Sequence, residues 1–213
     1  SSEMKTGVYD PENDKVHEIK ADNIRIQDCY TGEKYYYICY FDENGMKNIA
    51  RYNKETLLFT DNTIVGQGAT GFLADMTEDE HGRLCLYMVN MRDDILSEIM
   101  YCVYDNAMNL VDNVNLLEKI STETGYMYHT LKVSEDGSVY IFLDKNDGTI
   151  NMYKFSSENE LQYITEDVTG DMEGHFTQCI ITKSGNPVIS TYNHGATRSE
   201  EHTSELQSPC NIS

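Results

Sequence analysis

Four glycines stand at nearly even intervals, each after a short polar or acidic turn and before an apolar, strand-like run. They are Gly32 before EKYYYICYF, Gly82 before RLCLYMVN, Gly137 before SVYIFLD and Gly185 before NPVISTY, at spacings of 50, 55 and 48 residues. An internal period of this length constrains the fold more than any single motif does. Upstream, apolar residues alternate: Leu131 and Val133 before Gly137, Cys179 and Ile181 before Gly185. Ile26 and Met76 hold the first of these places in the earlier copies, where Asp28 and Glu78 interrupt the second. Alternation with period two predicts half-buried strands. Downstream, Asn44-Gly45, Asp93-Asp94, Asp147-Gly148 and His194-Gly195 mark a second turn. Asn-Gly and Asp-Gly between apolar runs predict type I′ hairpins, which need positive φ. A third element ends in an aromatic residue and a small polar one: Tyr9-Asp10, Tyr52-Asn53, Tyr104-Asp105 or Phe155-Ser156. A fourth apolar run follows each pair: VHEI, TLLF, NLVDNVNLL or ELQYI.

Each unit therefore predicts four antiparallel strands joined by short turns, and tandem meanders of this period resemble the blades of a β-propeller. The resemblance spans residues 1–197. The aromatic-polar pair takes the place of the Trp-Asp dipeptide of WD-type repeats. The chain has no Trp, however, and Gly-His occurs only at Gly174-His175, so no subclass is assigned. The expected fold class is all-β: antiparallel four-stranded blades of a partial or small β-propeller. The phase predicts a half blade over residues 1–20, blades over about 21–65, 66–118 and 119–168, and a half blade over 169–197. Either the halves close on each other as one composite blade of a four-bladed ring, or the chain is an arc of a larger ring. The arc is the preferred reading, and its open strand edges would invite pairing with other chains. Blade cores are expected at Ile24 and Ile26, Tyr35 and Tyr37, Leu84 and Leu86, Leu131 and Val133, Tyr140 and Phe142, and Ile180 and Ile189. A β-sandwich of the same strands is the alternative fold, and would need Greek-key crossings.

The 213 residues include 36 Asp and Glu against 16 Lys and Arg, a formal net charge of -20. That excess argues against nucleic acid and polybasic membrane contact. No apolar run approaches the roughly 18 residues of a membrane span, and no signal peptide is visible behind Ser1-Ser2-Glu3. Residues 198–208 read RSEEHTSELQS, which resembles the translation of a short-read sequencing adapter. Residues 198–213 are therefore expected to be an artefactual, non-native tail, with the natural chain running on past Thr197. That removes His202, Pro209, Cys210 and the Asn211-Ile212-Ser213 sequon from consideration. With one Arg and three Glu gone, the net charge moves from -20 to -18.

Residues 66–71, GQGATG, match the dinucleotide fingerprint G-x-G-x-x-G, which must follow a strand and open a helix. The repeat explains them better as a loop between blades, because Gly71, Gly125 and Gly174 precede Phe72, Tyr126 and His175 at similar places. The acidic turns at residues 144–148 and 10–14 offer oxygen ligands, making Asp144, Asn146 and Asp147 weak calcium candidates. Neither completes an EF-hand loop, and Asp and Asn suit such turns by themselves. No other cofactor is expected. The native cysteines, Cys29, Cys39, Cys85, Cys102 and Cys179, show no zinc spacing and read as buried free thiols.

Propeller loops between the second and third strands, and between blades, gather on one face. Phe72, Asp93, Tyr126, Asp144, Asp147, His175 and His194 are the residues expected there, and His129 opens a first strand. No catalytic set emerges. Arg is confined to Arg25, Arg51, Arg83 and Arg92 in the native part, and neither the sialidase blade box nor G-x-S-x-G occurs. The expected function is a non-catalytic binding or scaffold module with an acidic loop face, a fragment of a larger protein. The alternative is a fragment of a carbohydrate-active propeller enzyme, sialidase-like or another glycosidase or lyase. A weaker option is a propeller fused to a larger envelope protein. The expected partners are a protein or carbohydrate ligand and neighbouring blades or a fused domain, with an extracellular or cell-envelope location favoured. Ligand identity, blade number, thiol redox state and oligomeric state stay open.

Recovering the uninterrupted gene from source DNA tests the tail directly. The expected frame departs from RSEEHTSELQS after Thr197; a natural frame that contains it and stops after Ser213 would refute the adapter reading.

Overall fold

A computed structural model describes residues 7–18, 25–65, 71–93, 95–120, 125–144, 149–168, 175–192 and 204–205. The chain opens with a hairpin of β1 (Gly7–Asp10) and β2 (Lys15–Glu18). A four-stranded sheet follows, in order β3 (Arg25–Thr31), β4 (Tyr35–Phe41), β5 (Lys47–Asn53) and β6 (Phe59–Ile64). The next has β7 (Gly71–Glu78), β8 (Leu84–Arg92), β9 (Ile95–Tyr104) and β10 (Leu110–Asn115), and ends in the short helix α1 (Leu116–Ile120). A third has β11 (Met127–Val133), β12 (Val139–Asp144), β13 (Ile150–Phe155) and β14 (Leu161–Thr165). The last sheet joins β15 (His175–Ile181), β16 (Pro187–Tyr192) and β17 (Ser204–Glu205). Every strand pairs with its sequence neighbour, which excludes the Greek-key sandwich and leaves the blade construction of a β-propeller. Two residues of the adapter-like segment thus form β17 beside β16, which bears on their placement and not on their origin.

The chain divides into two compact units, residues 1–86 with 102–113 and residues 87–101 with 114–213. In the first, β3 runs beside β7; in the second, β11 runs beside β15. First strands of consecutive sheets are thus neighbours, as innermost blade strands are.

Burial departs from the simple alternation expected. Residues 37–40, 47–52 and 84–89 and the whole of β12 are buried, so the middle strands are covered on both faces. Fourth strands β6, β10 and β14 stay largely exposed. In the second unit one core joins Tyr140, Phe142, Ile150 and Met152 of the third sheet to Cys179 and Ile189 of the last, with Val168 closing it. Each fully buried Leu, Ile or Phe there contributes about 1.5–3 kcal/mol. Ile189 belongs to this core, but Ile180 does not: Cys179 is the residue opposite Ile189, which leaves Ile180 on the other face, 62% exposed. Ile26 is exposed as well, just ahead of a bulge at Gln27 that bends β3. Corresponding bulges occur at His129 in β11 and Thr177 in β15. Tyr35 and Val133 are half-buried, and Ile24 lies outside the described residues.

One turn recurs at residues 42–46, 79–83, 105–109, 134–138, 156–160 and 182–186. The first residue donates its N–H to the fifth carbonyl and accepts from the fourth N–H, at 2.9–3.0 Å throughout, as from Asp42 to Met46 at 2.9 Å. The fourth residue is left-handed: Gly45, Gly82, Met108, Gly137, Asn159 and Gly185 have φ between 60° and 80°. A single positive φ identifies the three-residue hairpin loop with a bulge rather than the type I′ turn expected at Asn44-Gly45, where Asn44 is not left-handed. A side-chain oxygen on the first residue caps the loop. Asp79 Oδ1 accepts from the His81 and Arg83 N–H groups at 2.9 and 2.8 Å, and Asp105 Oδ1 from those of Ala107 and Asn109 at 2.9 and 2.8 Å. The Asn109 N–H holds the Asp105 carboxyl below its ordinary range.

The expected fourth run NLVDNVNLL ends early as a strand. Asn115 Oδ1 accepts from the Leu117 N–H at 3.2 Å, capping α1, and Leu116 and Leu117 are buried on it.

Gly32 differs from the other anchors. Its φ is not left-handed; instead a Cβ there would sit 2.3 Å from Glu78 Oε1. Glu78, which reads in the sequence as an interruption of the apolar pattern, accepts from the Tyr37 hydroxyl at 2.8 Å and from the Glu33 N–H at 2.5 Å. The missing side chain of Gly32 makes room for this clasp. Replacing Gly32 with Ala should destabilise the chain by about 1–3 kcal/mol. Urea unfolding of Gly32→Ala, Glu78→Ala and the double variant checks it: the double variant should be more stable than additivity allows, since the clash is gone.

Candidate functional site

In the second unit the structure gathers several of the expected face residues at one end. Tyr126 is buried just ahead of β11, and its carbonyl accepts from the Leu96 N–H at 2.9 Å, at the start of β9. Met127 lies opposite Asp144, and Asp144 opposite Ile150, so the start of β11, the end of β12 and the start of β13 form one edge. Asp144 is 8% exposed, at odds with a solvated turn acid. The Tyr140 hydroxyl donates to the Gly185 carbonyl at 3.0 Å at the opposite end, which places His175, at the start of β15, on the Asp144 end. Asp93 is exposed and left-handed, φ 52°, in the connection to β9. Burial raises the Tyr153 pKa; Asn151 opposes and Tyr126 adds to the rise. Phe72 belongs to the first unit, half-buried near the start of β7. Asn146, Asp147 and His194 lie outside the described residues.

Among the described residues no group of three or more His, Cys, Asp or Glu side chains could hold a metal ion. Of Asp144, Asn146 and Asp147, only Asp144 lies among the described residues. The five cysteines among the described residues are free thiols. Cys29 departs from expectation in being exposed, while burial raises the Cys29, Cys39 and Cys102 pKa values.

The first unit holds a constellation that sequence reasoning missed. Arg25 lies opposite Phe41 and Phe41 opposite Lys47, at the ends of three adjacent strands. The Arg25 guanidinium is 4.9 Å and the Lys47 ammonium 5.5 Å from the centre of the Phe41 ring. Lys47 is 3% exposed, and its Nζ donates to the Gly71 carbonyl at 2.5 Å. Burial lowers its pKa from 10.5 to about 8. Cys39 shares the face; burial pushes its thiol up to about 12, with the Lys47 charge pulling the other way. At the far end of β5, Arg51 is equally buried but fully paired. Its Nε donates to Asp61 Oδ1 at 2.6 Å, a second nitrogen meets Asp61 Oδ2, and Nη1 donates to the Asn106 carbonyl at 2.9 Å. The alternation Lys47-x-Ile49-x-Arg51 was the available signal, because it puts both cations on the Ile49 face.

No protein-family model matches the chain, and no curated protein matches it. Among solved structures it is similar to a protein of unknown function from Bacteroides caccae, 7% identical, TM-score 0.51, over 95% of this chain and 69% of that one. It is also similar to an endo-arabinase from Bacteroides thetaiotaomicron VPI-5482, 18% identical, TM-score 0.45, over 83% of this chain and 72% of that one. A luciferin-regenerating enzyme is 13% identical, TM-score 0.46, over 86% of this chain and 60% of that one. At 7% identity the first likeness extends to the fold and no further. Meander sheets, neighbouring first strands and double-faced cores define the class: a β-propeller-like repeat protein.

Replacing Lys47 with Met should stabilise the fold at pH 7 by about 1–3 kcal/mol, because an ammonium buried without a counter-charge gives way to an apolar side chain of similar length. Between about 8 and 10.5 the unfolded state binds the proton that folded Lys47 has lost, so wild-type stability gains as pH rises. Denaturation of both proteins at pH 7 and pH 10 should show the gap narrowing at the higher pH; a constant gap would contradict the lowered pKa.

Proposed function

We propose that the chain is a non-catalytic binding or scaffold module of a larger β-propeller-like protein, presenting acidic loops to a ligand or protein of opposite charge. One observation carries this reading. The recurrent turn fixes its first side chain on the backbone, and in three of the six copies the second residue is an exposed acid: Glu43, Glu80 and Glu135. In the second unit Glu135 and Asp136, in the 134–138 turn, lie near the 156–160 turn with exposed Glu158; a Cβ on Gly137 would be 3.0 Å from Ser157. Acids held on rigid loops lose little freedom when a partner binds, and opposite charge speeds encounter more than it adds affinity.

The carbohydrate-active alternative needs two carboxylates converging on one sugar. The capped acids instead face their own backbone. Two measurements separate the readings. Affinity for a lysine-rich peptide should fall steeply as salt rises from 50 to 300 mM, roughly in proportion to the charges neutralised. Glu135→Lys should weaken it more than Glu12→Lys. Release of reducing sugar from arabinan or a sialoside, or salt-independent retention on a neutral polysaccharide, would overturn the proposal.

A further inference from the structure

Strand β5 carries two buried cations on one face, and among the described residues only Arg51 has a counter-charge. Arg51 grips both carboxylate oxygens of Asp61. Lys47 has the Gly71 carbonyl and the Phe41 ring, and among the described residues no carboxylate pairs with it. Arg25, exposed on the same row, also contacts the Phe41 ring and likewise has no carboxylate partner among the described residues. The cross-strand register sets these three side chains on one face, at neighbour spacings of about 5 Å. Nearby acids are engaged elsewhere. Asp28 Oδ1 accepts from the Cys29 N–H at 2.8 Å; Asp42 Oδ1 caps its turn, and Asp42 Oδ2 accepts from Asn48 Nδ2 at 3.2 Å.

In a chain of formal net charge -20, acids were abundant enough to neutralise both cations, and among the described residues neither has one. An aliphatic side chain at position 47 would serve the packing better than an unpaired ammonium. A cation kept where packing alone disfavours it marks a site that meets its counter-charge from outside the chain. We infer that the row Arg25–Phe41–Lys47 binds a small anion bearing a carboxylate or phosphate group. Arg25 meets the anion from the solvent side with its planar fork, which suits two oxygens at once. Lys47 supplies point charge from the buried side, and its two N–H bonds not directed at Gly71 are the available donors. The Phe41 ring lies beside both cations and keeps the site apolar enough for each charge-assisted bond to count. Burial lowers the basicity of this ammonium, with the nearby Cys39 pulling the other way. The site is independent of the acidic loops, and either assignment can fail without the other.

Calorimetric titration of the full chain at pH 7 tests it. The probes are inorganic phosphate, acetate and glucuronate, with glucose as the neutral control and ionic strength fixed with sodium chloride. Saturable binding of phosphate, of the carboxylates or of both is the expected result, and the pattern tells which oxyanion the site takes. Lys47→Met and Arg25→Gln should each weaken it about tenfold. Both variants should fold, since the first removes an unpaired buried charge and the second alters an exposed side chain. Side-chain N–H resonances of Lys47 and Arg25 should shift on binding while those of Arg51 stay in place. Absence of saturable binding, equal binding of glucose, or unchanged affinity in both variants would overturn the assignment.

Discussion

A middle strand buried on both faces is the constraint on which the rest of this structure depends. No four-stranded meander can cover both faces of its own central strands, so each sheet needs a neighbour. Runs such as the wholly buried β12 show that requirement in the sequence itself, since they carry almost no polar side chains. The core that joins Tyr140, Phe142, Ile150 and Met152 to Cys179 and Ile189 shows it satisfied. Loss of contact between two sheets would expose both at once, which makes the repeat cooperative.

Tyrosine hydroxyls fasten this stacking. Tyr37 and Tyr140 occupy like places in the first and third sheets, each opposite a long cation, Arg51 and Lys154. Tyr37 reaches Glu78, and Tyr140 reaches the Gly185 carbonyl, so in each case a ring fills the core while its hydroxyl finds a partner on the following sheet. Burial, helped by the Glu78 carboxylate, raises the Tyr37 pKa far above its ordinary value, so the phenol remains a donor. Abundant Tyr in a chain without Trp thus has a mechanical role as well as an apolar one.

Electrostatics divides along the same lines. The acids that dominate the composition sit mostly in turns, where their first members are tied to backbone N–H groups and their neighbours face water. Three cations reach inward: Arg51 paired with Asp61, Lys154 over Tyr140 at 5.3 Å, and Lys47 beside Phe41 with no acid among the described residues.

Much of the fold was legible in the chain before any coordinates. Glycine spacing, period-two runs and aromatic-polar pairs gave four-stranded meanders, because strand pairing between sequence neighbours is a local matter. Gly82, Gly137 and Gly185 were readable as turns because only a residue tolerant of positive φ fits there. Gly32 was not, since what forbids a side chain is Glu78, 46 positions away in sequence and adjacent only after folding. Ile180 misled for a related reason: a bulge in β15 and its register with β16, not its hydrophobicity, assign its face. The candidate face was legible as a set of loop positions, but not the burial of Tyr126 and Asp144, which depends on what lies over them. Lys47 was unreadable as a site because a lysine looks solvated until its strand is known to be covered on both sides. The sequence by itself determined the strands, their turns and their order, all properties of contiguous residues. Only tertiary structure decided which face each side chain occupies and which charges meet a partner, because burial and pairing depend on residues that the chain brings together from far apart.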